Sequence, residues 1–465
     1  MELTVERTPI AGLLVLRLPV HADERGWFKE NWQRAKMTDL GLPDFGPVQN
    51  NVSFNAHRGA TRGIHAEPWD KLVSVTTGRV FAAWVDLRAG AGFGATFHVE
   101  IDPSVTVFVP RGVGNSYQAL EDGTAYSYLV NDHWRPGIAY AAVDLGDPEV
   151  AVPWPIPLAE SEISEKDRHN PLLADVEPVP GPRTLVIGAN GQLGRALRHD
   201  FEDADLVDLV GTETTLDLTD PEAVAAWPWS DYELVINAAA YTAVDLAETP
   251  EGRIACWAAN AAGPATLARL AREHRFTLVH YSTDYVFDGT HEEHDEDEPF
   301  SPLGVYGQAK AAGDLAVGTA GAHYVLRTSW VIGDGRNFVG TMQDLAARGL
   351  SPAVVDDQHG RLTFTAELSR ATRHLVTSGA PFGTYNVTNG GPATTWADVA
   401  REVFRLSGRS PDDVSRTTTE AYSAGKALAP RPAYGVLRLD KLRATGFEPE
   451  DALTALARYC ASQRP

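Results

Sequence analysis

The stretch Thr184-Leu-Val-Ile-Gly-Ala-Asn-Gly-Gln-Leu-Gly194 decides the fold of the larger part of this chain. Its first four residues predict a short buried strand, and Gly188, Gly191 and Gly194 follow at regular spacing. Glycines at this spacing allow a tight turn, and they let backbone N–H groups and a helix N-terminus approach a pyrophosphate. The stretch therefore predicts the first strand, turn and helix of a dinucleotide-binding domain.

Downstream of this turn, buried strands alternate with helices. Strands are predicted to begin at Leu234, Thr277 and His323, and a helix is predicted over residues 261–274. Strands that alternate with helices form right-handed crossovers and a parallel sheet. We therefore expect residues 183–465 to form an α/β Rossmann-type domain with a doubly wound parallel sheet and a small substrate-binding subdomain near the C-terminus.

The first part of the chain has a different pattern. Short runs such as Lys71-Leu-Val-Ser-Val-Thr and Arg79-Val-Phe-Ala-Ala-Trp-Val-Asp are separated by Gly, Pro and Asp turns. This pattern predicts an all-β domain over residues 1–174, either a sandwich, a barrel or a jelly roll. The Pro-rich stretch 175–182 is predicted to be a stiff linker.

Composition narrows the function. A chain of 465 residues with 43% hydrophobic and 22% charged residues is expected to form two or three globular domains. A net charge of -22, without a basic patch, argues against nucleic-acid binding. We find no secretion signal and no apolar run near the roughly 20 residues of a membrane span, so we expect a cytoplasmic protein without a membrane partner. Two distant cysteines, Cys256 and Cys460, fit a reducing compartment.

Three polar side chains form a candidate catalytic set in the C-terminal domain. Tyr306 and Lys310 are four residues apart, which places them on one face of a helix. The Lys310 ammonium is expected to lower the pKa of the Tyr306 phenol toward a range useful for proton transfer. Thr283 ends a predicted strand, where open α/β sheets bind ligands, although its hydroxyl also fits a simple strand-end cap.

An acidic run at residues 291–298 contains two histidines among its carboxylates. Such a composition fits either a metal site or a solvated acidic loop. Because a metal needs converging ligands, we favour the solvated loop and expect no metal.

Several motifs of the C-terminal domain resemble dTDP-4-dehydrorhamnose reductase, an extended short-chain dehydrogenase/reductase. They are the glycine turn and residues 237–245, 280–287, 301–310 and 327–331. The resemblance implies hydride delivery to a C4 ketone, with NADPH as the cofactor and NADH as the alternative. It implies that Tyr306 donates the proton, that Thr283 hydrogen-bonds the carbonyl oxygen, and that Lys310 tunes Tyr306 and holds the nicotinamide ribose.

The same resemblance implies the binding residues of this domain. The cofactor-binding residues would be Gly188, Gly191, Gln192, Leu193, Gly194, Asp217, Leu218, Ala238, Ala239 and Ala240, together with Tyr306 and Lys310. The residues in contact with the sugar nucleotide would be Asp284 and Trp330. Departures from the family pattern occur at Gly304, Gln308, residues 357–363 and Tyr434. We find no acidic residue at the end of the second strand, roughly 20 residues beyond the glycines, that would select NADH.

The N-terminal domain resembles dTDP-4-dehydrorhamnose 3,5-epimerase, a cupin-like jelly roll that needs no metal. The matching segments are residues 23–30, 49–53, 62–65, 71–73, 85–88, 110–112 and 154–171. The resemblance implies that His65 and Asp167 form the dyad that abstracts protons beside the C4 ketone. Lys71 would stabilise the enolate oxygen, and Tyr128 would return a proton from the opposite face.

The epimerase resemblance also implies contacts to the nucleotide sugar. The residues are Arg25, Glu30, Gln49, Asn51, Arg62 and Asn115. Two departures bear on the reaction: Asn115 stands where the family usually has a histidine, and Trp134 occupies the place of a second active-site tyrosine. Loss of that tyrosine is a reason to consider epimerisation at one carbon only.

Together the two resemblances predict a bifunctional enzyme of dTDP-L-rhamnose biosynthesis, an epimerase fused to a reductase. Its substrate would be a dTDP-4-keto-6-deoxyhexose, and it would form a homodimer through the cupin-like domain. One alternative is a reductase whose first domain is a mono-epimerase or an inactive binding module. Another is a non-catalytic sugar-nucleotide-binding regulatory subunit, since such folds can lose chemistry and keep binding.

Overall fold

The computed structural model describes residues 2–134, 138, 140–181, 183–212 and 214–462. The chain divides into two compact units, Met1–Gly181 and Pro182–Pro465. Within the described ranges, no helix is both long enough and apolar enough to cross a bilayer.

The first unit consists mainly of short strands, and its described residues contain one helix, α1 (Arg34–Asp39). Its described strands are, in chain order, β1 (Thr4–Arg7), β2 (Leu14–Arg17), β3 (His21–Asp23), β4 (Gly26–Phe28), β5 (Gln49–Asn55), β6 (Ala60–Ala66), β7 (Lys71–Thr77), β8 (Val80–Asp86), β9 (Thr96–Ile101), β10 (Val105–Val109), β11 (Val113–Ala119), β12 (Thr124–Val130), β13 (Ala141–Val143) and β14 (Glu162–Ile163). Short 3₁₀ turns follow at Leu158–Glu160, Lys166–His169 and Leu173–Asp175.

These strands form two main sheets. The strand order of the first sheet is β1-β2-β10-β7-β12-β5, and that of the second is β13-β6-β11-β8-β9, with β14 beside β6. Val73 and Val75 of the first sheet and Ala82 and Trp84 of the second belong to one buried core, which the two sheets therefore share. The hairpin of β3 and β4 pairs only with itself in the described residues, and its side chains are exposed.

The Pro-rich stretch predicted as a linker lies against the first unit as far as Gly181. The Val179 N–H donates to the Leu87 carbonyl oxygen (2.7 Å), and the Val179 carbonyl oxygen accepts from the Ala89 N–H (2.8 Å). Val176 is buried in the core below. Val176 and Val179 therefore hold this stretch against the first unit, while the residues around them are exposed.

The second unit alternates strands and helices. Its described strands are β15 (Arg183–Ile187), β16 (Asp205–Asp208), β17 (Thr214–Thr215), β18 (Tyr232–Asn237), β19 (Thr277–Thr283), β20 (His323–Thr328), β21 (Val331–Ile332), β22 (Ala353–Val355), β23 (His359–Gly360), β24 (Thr363–Phe364), β25 (Gly383–Asn386), β26 (Thr394–Thr395) and β27 (Ser415–Thr417). Its described helices are α2 (Gln192–Asp200), α3 (Pro221–Ala226), α4 (Pro250–Trp257), α5 (Gly263–His274), α6 (Val305–Val317), α7 (Phe338–Ala347), α8 (Thr365–Ser378), α9 (Trp396–Leu406), α10 (Thr419–Ser423), α11 (Asp440–Ala444) and α12 (Ala452–Ser462).

Seven of these strands form a parallel sheet in the order β17-β16-β15-β18-β19-β20-β25. Helices cover both faces: Val224 and Leu267 of α3 and α5 pack on one side, and Leu197 and Leu368 of α2 and α8 pack on the other. The strand order reverses between β15 and β18. Open α/β sheets bind ligands at such a reversal, so we expect a ligand site at the carboxyl ends of β15 and β18.

A separate core lies nearer the C-terminus. It contains Val339 of α7, Val403 of α9 and Leu456 of α12. Short strand pairs accompany these helices, namely β21 with β24, β22 with β27 and β23 with β26. This cluster corresponds to the small subdomain that the sequence predicts.

The acidic run 291–298 is not a solvated loop throughout, which corrects our interpretation. His294 is fully buried, its Nδ1 atom lies 2.9 Å from Glu298 Oε2, and its Nε2 atom lies 3.0 Å from the Tyr434 carbonyl oxygen. Its ring stacks on Phe287. The histidine therefore ties the run to a distant segment, a role that composition alone does not reveal. Among the residues that the structure describes, no group of three or more His, Cys, Asp or Glu side chains could hold a metal ion.

Candidate active sites

The glycine turn of the second unit brings two strand ends into close contact. Gly188 follows β15 with a φ of 82°, a left-handed conformation that glycine adopts easily. A Cβ atom on Gly188 would collide with the backbone of Ala239 after β18, and one on Gly194 would collide with the Gly188 carbonyl oxygen. Gly191, which precedes α2, offers no capping side chain, so the first N–H groups of α2 stay available to a pyrophosphate.

A cavity of about 650 Å³ opens at this turn. Of the predicted cofactor-binding residues, those in its lining are Gly188, Gly191, Asp217, Leu218, Ala238, Ala239 and Ala240. Gln192 and Leu193 are engaged elsewhere: the Gln192 amide donates to the Arg336 carbonyl oxygen (3.1 Å), and Leu193 packs on the sheet. The glycine contacts and the cavity fit the adenosine diphosphate part of a nicotinamide dinucleotide.

An acidic residue does close the second strand, so our prediction of none is wrong. Asp208 is the last residue of β16, twenty positions after Gly188, and it lines the cavity. Its carboxylate accepts hydrogen bonds from the backbone N–H groups of Asn190 (2.8 Å) and Leu209 (2.7 Å). The strand is only four residues long and begins and ends with aspartate. Its sequence therefore resembles a polar loop, and the strand was not recognised.

The predicted catalytic set assembles beside the end of β19. Thr283 ends this strand, and Tyr306 and Lys310 project from α6. The Tyr306 phenol lies near Thr283, whose hydroxyl donates to Asp284 Oδ1 (3.0 Å). The Lys310 ammonium is buried and donates to the Tyr281 carbonyl oxygen (2.7 Å). The Thr283 hydroxyl also accepts from the Tyr285 N–H (3.2 Å), so it caps the turn after the strand and lies near the phenol as well.

The pKa of Tyr306 is raised, contrary to our expectation of a lowered value. Burial of the phenol and the neighbouring Asp284 carboxylate raise this pKa, and the interaction with Thr283 only partly opposes them. Burial also raises the pKa of Asp284, to about 7. Burial lowers the pKa of Lys310 to about 8, although the charge of Asp314 acts in the opposite direction. Desolvation is therefore the largest influence on the pKa values of all three groups.

Two further carboxylates support α6, and sequence reasoning missed both. Glu248 Oε1 accepts from the Val305 N–H (2.8 Å) at the first turn, where Gly304 has no side chain of its own to do so. Asp314, four residues beyond Lys310, forms a buried ion pair with Arg327 (3.1 Å). The sequence showed Gly304 as a departure from the family pattern. It could not show that Glu248, 56 positions earlier, caps the helix in its place.

On the substrate side, Asp284 Oδ2 is buried without a hydrogen-bond partner in the described residues, and it lies close to Gly435. Trp330 has a φ of 45° and stacks on Trp396, with 3.8 Å between ring centroids. Trp396 lines a cavity of about 660 Å³ together with Asp245, Tyr285 and Arg431. Tyr434 stacks on His359, which gives this departure from the family pattern a packing role.

The first unit holds the histidine–carboxylate pair. His65 Nε2 in β6 lies 2.7 Å from Asp167 Oδ1, and Asp167 Oδ2 accepts from Ser164 Oγ (2.8 Å) and the Gly63 N–H (3.2 Å). Burial lowers the pKa of His65, and Asp167 opposes this only in part. Burial alone would raise the pKa of Asp167, but the hydrogen bond from Ser164 and the interactions with His65 and Gly63 lower it overall.

Lys71 and Tyr128 face the same site from the other sheet. The buried Lys71 ammonium lies 5.9 Å from the centroid of the Tyr128 ring and forms an ion pair with Glu67, which the sequence did not single out. Burial lowers the pKa of Lys71 to about 7, and burial raises the pKa of Tyr128. The pair of Lys71 with Glu67 places a negative charge beside the predicted enolate-stabilising cation.

Tyr140, which the sequence did not single out, provides an aromatic side chain at the dyad. The Tyr140 ring centroid lies 5.2 Å from that of His65, and its hydroxyl accepts from Lys166 Nζ (2.8 Å). Trp134 is 59% exposed. Tyr140 reaches His65 because it directly precedes β13, which pairs with β6. The assignment of Trp134 to the second tyrosine position stays a prediction.

The six predicted nucleotide-sugar ligands divide into three pairs. Asn115 lies opposite His65 in the pairing of β11 with β6, and Arg62 influences Tyr128 electrostatically, so both belong to the dyad site. Gln49 and Asn51 hydrogen-bond each other on β5 (2.8 Å). The remaining two pair with charged neighbours instead, Arg25 with Asp23 (2.5 Å) and Glu30 with Lys36 (2.6 Å).

These sites define a two-domain enzyme, with a histidine–aspartate dyad in a β-sandwich and a Thr–Tyr–Lys set beside a dinucleotide-binding sheet. The chain belongs to the RmlD substrate binding domain family, whose model matches residues 182–464. Residues 7–175 match the family model of dTDP-4-dehydrorhamnose 3,5-epimerase.

Relatives of both parts are known. The chain is 49% identical over 177 residues to the RmlC homolog of Streptococcus pyogenes, covering 37% of this chain and 89% of that protein. It is 45% identical over 275 residues to a probable dTDP-4,6-dihydroxy-2-methyloxan-3-one 4-ketoreductase of Streptomyces antibioticus, covering 57% and 90%. The dTDP-4-dehydrorhamnose reductase of Bacillus anthracis, solved in complex with NADP, is 31% identical with a TM-score of 0.55, covering 61% and 99%.

Proposed function

We propose that this chain catalyses two consecutive steps of dTDP-L-rhamnose formation. The first unit would epimerise dTDP-4-dehydro-6-deoxy-glucose at C3 and C5, and the second would reduce the C4 ketone with NADPH. The observation that carries this proposal is the presence, in one chain, of the His65–Asp167 dyad and the Thr283, Tyr306 and Lys310 set. The relatives of each part, an epimerase and a reductase of the same pathway, support the pairing.

For epimerisation, His65 acts as the base. Burial lowers the pKa of the imidazole, so it is neutral near pH 7 and can accept a proton from the carbon beside the ketone. Asp167 then stabilises the imidazolium that forms and holds the ring in one tautomer. Tyr128 returns a proton from the other face, and Tyr140 lies close enough to His65 to bind the same substrate.

For reduction, Tyr306 donates a proton to the C4 oxygen while Thr283 hydrogen-bonds that oxygen. NADPH, when bound by the glycine turn, supplies the hydride. The buried Lys310 ammonium stabilises the phenolate that Tyr306 becomes after it has given up its proton. A raised pKa of Tyr306 suits this role, because the phenol stays protonated until the ketone oxygen gains negative charge.

We further propose that the protein acts in the cytoplasm as a homodimer joined through the first unit. Exposed apolar side chains on β4 and β5 support a dimer interface on the first unit: Phe28, Val52 and Phe54 are each more than 60% exposed. Sedimentation velocity tests this assembly; a monomer at micromolar concentration contradicts it.

The deciding experiment offers the purified chain dTDP-4-dehydro-6-deoxy-glucose in D₂O, with and without NADPH. We expect deuterium at C3 and C5 without NADPH, and dTDP-L-rhamnose with it. Label at a single carbon would limit the first unit to mono-epimerisation. Absence of label, with reduction only of a ketone epimerised beforehand, would leave a reductase alone, and absence of both reactions would overturn the proposal.

A further inference from the structure

Residues 433–436, the covering segment, pack against the Asp284 carboxylate. Asp284 directly follows β19, and 2% of its surface is exposed. A Cβ atom on Gly435 would collide with Asp284 Oδ2, so the carboxylate occupies the space that a larger residue would fill. Oδ2 has no hydrogen-bond partner among the described residues, so it can still accept from a sugar hydroxyl. The place of this carboxylate therefore depends on the place of the covering segment.

Two histidines hold the covering segment. On one side, the His359 carbonyl oxygen accepts from the Gly435 N–H (2.7 Å). On the other side, the His294 N–H donates to the Val436 carbonyl oxygen (2.9 Å). The Nε2 atom of the His294 ring lies 3.0 Å from the Tyr434 carbonyl oxygen. The His294 ring thus joins the acidic run 291–298 to the covering segment.

The His294 ring has an acceptor on each side. Nε2 faces a carbonyl oxygen, which can only accept, so Nε2 carries a proton. Nδ1 lies 2.9 Å from Glu298 Oε2 and 3.0 Å from Glu298 Oε1, and an ionised carboxylate also only accepts. Glu298 therefore stabilises a ring that is protonated on both nitrogens, and it disfavours the tautomer in which Nε2 lacks its proton.

The same ring contacts the turn that carries Asp284. The rings of His294 and Phe287 stack, with 4.6 Å between centroids and an interplanar angle of 2°. Phe287 is fully buried and follows the 3₁₀ turn Asp284–Val286, and its N–H donates to the Asp284 carbonyl oxygen (3.0 Å). One imidazole therefore contacts both the turn that carries the carboxylate and the segment that covers it.

We infer that His294 is a positioning residue of the reductase unit. Through the hydrogen bond from Nε2 to the Tyr434 carbonyl oxygen, it fixes the covering segment against Asp284 and so sets the affinity for the ketone sugar. The inference rests on the proposed function, because it requires that this unit reduces a sugar ketone and that Asp284 contacts the sugar. Loss of the His294 ring should weaken sugar binding and leave the chemical step unchanged.

Steady-state reduction of a ketone epimerised beforehand tests this role. His294→Phe keeps an aromatic ring against Phe287 but loses both side-chain hydrogen bonds. We expect KM for the ketone to rise about tenfold, since a hydrogen bond from a charged group is lost, while kcat stays within about twofold. Binding of NADPH, followed by nucleotide fluorescence, should not change.

Glu298→Gln is the conservative variant. Its amide can donate to Nδ1 of a neutral ring, and the Nε2 proton still reaches the Tyr434 carbonyl oxygen. We therefore expect KM within about twofold of that of the unchanged chain. A rise as large as that in His294→Phe would show that the charge of the pair, and not the bond to Tyr434, holds the segment. Such a rise overturns the inference.

The matched control is His291→Phe, which changes an exposed histidine of the same acidic run and should leave KM and kcat unchanged. Gly435→Ala is a second variant should His294→Phe fail to fold. It displaces the covering segment from Asp284 directly, so KM should again rise. An unchanged KM, or a joint loss of kcat and NADPH binding, overturns the inference and leaves the proposed function intact. If the unchanged chain reduces no ketone, the reductase proposal fails and this inference fails with it.

Discussion

The Nε2 atom of His65 lies 2.7 Å from Oδ1 of Asp167, although 102 positions separate the two residues. The other carboxylate oxygen is held by Ser164 and by the backbone of Gly63. A carboxylate fixed in this way keeps the imidazole in one tautomer and one orientation, so its free nitrogen points to the site. The fold therefore preorganises the dyad. Substitution of Asp167 should measure how much this carboxylate contributes to the rate of epimerisation.

Asp167→Asn should lower the rate of epimerisation by about a hundredfold or more, because the amide no longer stabilises the imidazolium or enforces the tautomer. Deuterium incorporation at C3 and C5 measures the loss. Asp175→Asn, an exposed aspartate of the same unit, serves as the control and should keep the original rate. Reduction of a ketone epimerised beforehand should be unaffected. Equal rates in the two variants would contradict the assignment of the dyad.

The pH dependence of epimerisation follows from the lowered pKa of His65, which lies below its usual 6.5. A base must be neutral to accept a proton, so the rate falls only when the pH drops below this lowered value. We expect kcat/KM for deuterium exchange to remain level from pH 7 to 6.5 and to decline at more acidic pH. A decline that is centred above pH 6.5 would show that His65 is not the group that titrates.

Tyr306→Phe should lower the rate of ketone reduction by about a hundredfold or more, because the proton donor is lost while the ring remains. Consumption of NADPH with epimerised ketone measures this step. The same variant should exchange deuterium at the normal rate, since the dyad lies in the other unit. The Asp167→Asn variant shows the reverse pattern, so each variant controls for the folding of the other. Normal reduction by Tyr306→Phe would revive a non-catalytic role for this domain.

Asp314→Asn should move the pH profile of reduction. The carboxylate opposes the effect of burial on Lys310, whose pKa is about 8, so its removal lowers this pKa further. Lys310 then loses its charge at a lower pH, and the decline of kcat/KM on the alkaline side moves in the acidic direction. The variant also leaves Arg327 buried without its ion-pair partner, which costs about 3–5 kcal/mol in the free energy of unfolding.

A pH series of NADPH oxidation and urea unfolding measure the two effects of Asp314→Asn. The control is Asp344→Asn, an exposed aspartate on α7, which should change neither. An alkaline decline that stays in place despite the loss of stability would mean that Asp314 does not influence Lys310.

Gly304→Ala should destabilise the start of α6. A Cβ atom at this position would lie 2.7 Å from Glu248 Oε1, the atom that accepts the Val305 N–H. Displacing this carboxylate removes a helix cap, which costs about 1 kcal/mol. Thermal unfolding measures the change, and Gly321→Ala, which meets no atom within 4 Å, is the control. If both variants unfold at the same temperature, Glu248 does not stabilise the helix.

Local patterns in the sequence predicted much of the second unit. The glycine motif involves only neighbouring residues, from Gly188 to Gly194. Tyr306 and Lys310 lie on one helix face because they are four residues apart. The alternation of strands with helices likewise predicted the parallel sheet, because such crossovers have few packing solutions. The alternating runs of the first unit predicted its strands for a similar reason.

The contacts between distant segments followed only from the tertiary structure. Tyr140 and Glu248 reach their sites because separate strands and helices pack together, and no spacing in the sequence records this. Burial also decided the direction of the Tyr306 pKa, since desolvation depends on everything packed around a group and not on one neighbour. The sequence by itself thus determined which chemistry the side chains can perform, and the packing determined their partners, their charge and their fit to a particular ligand.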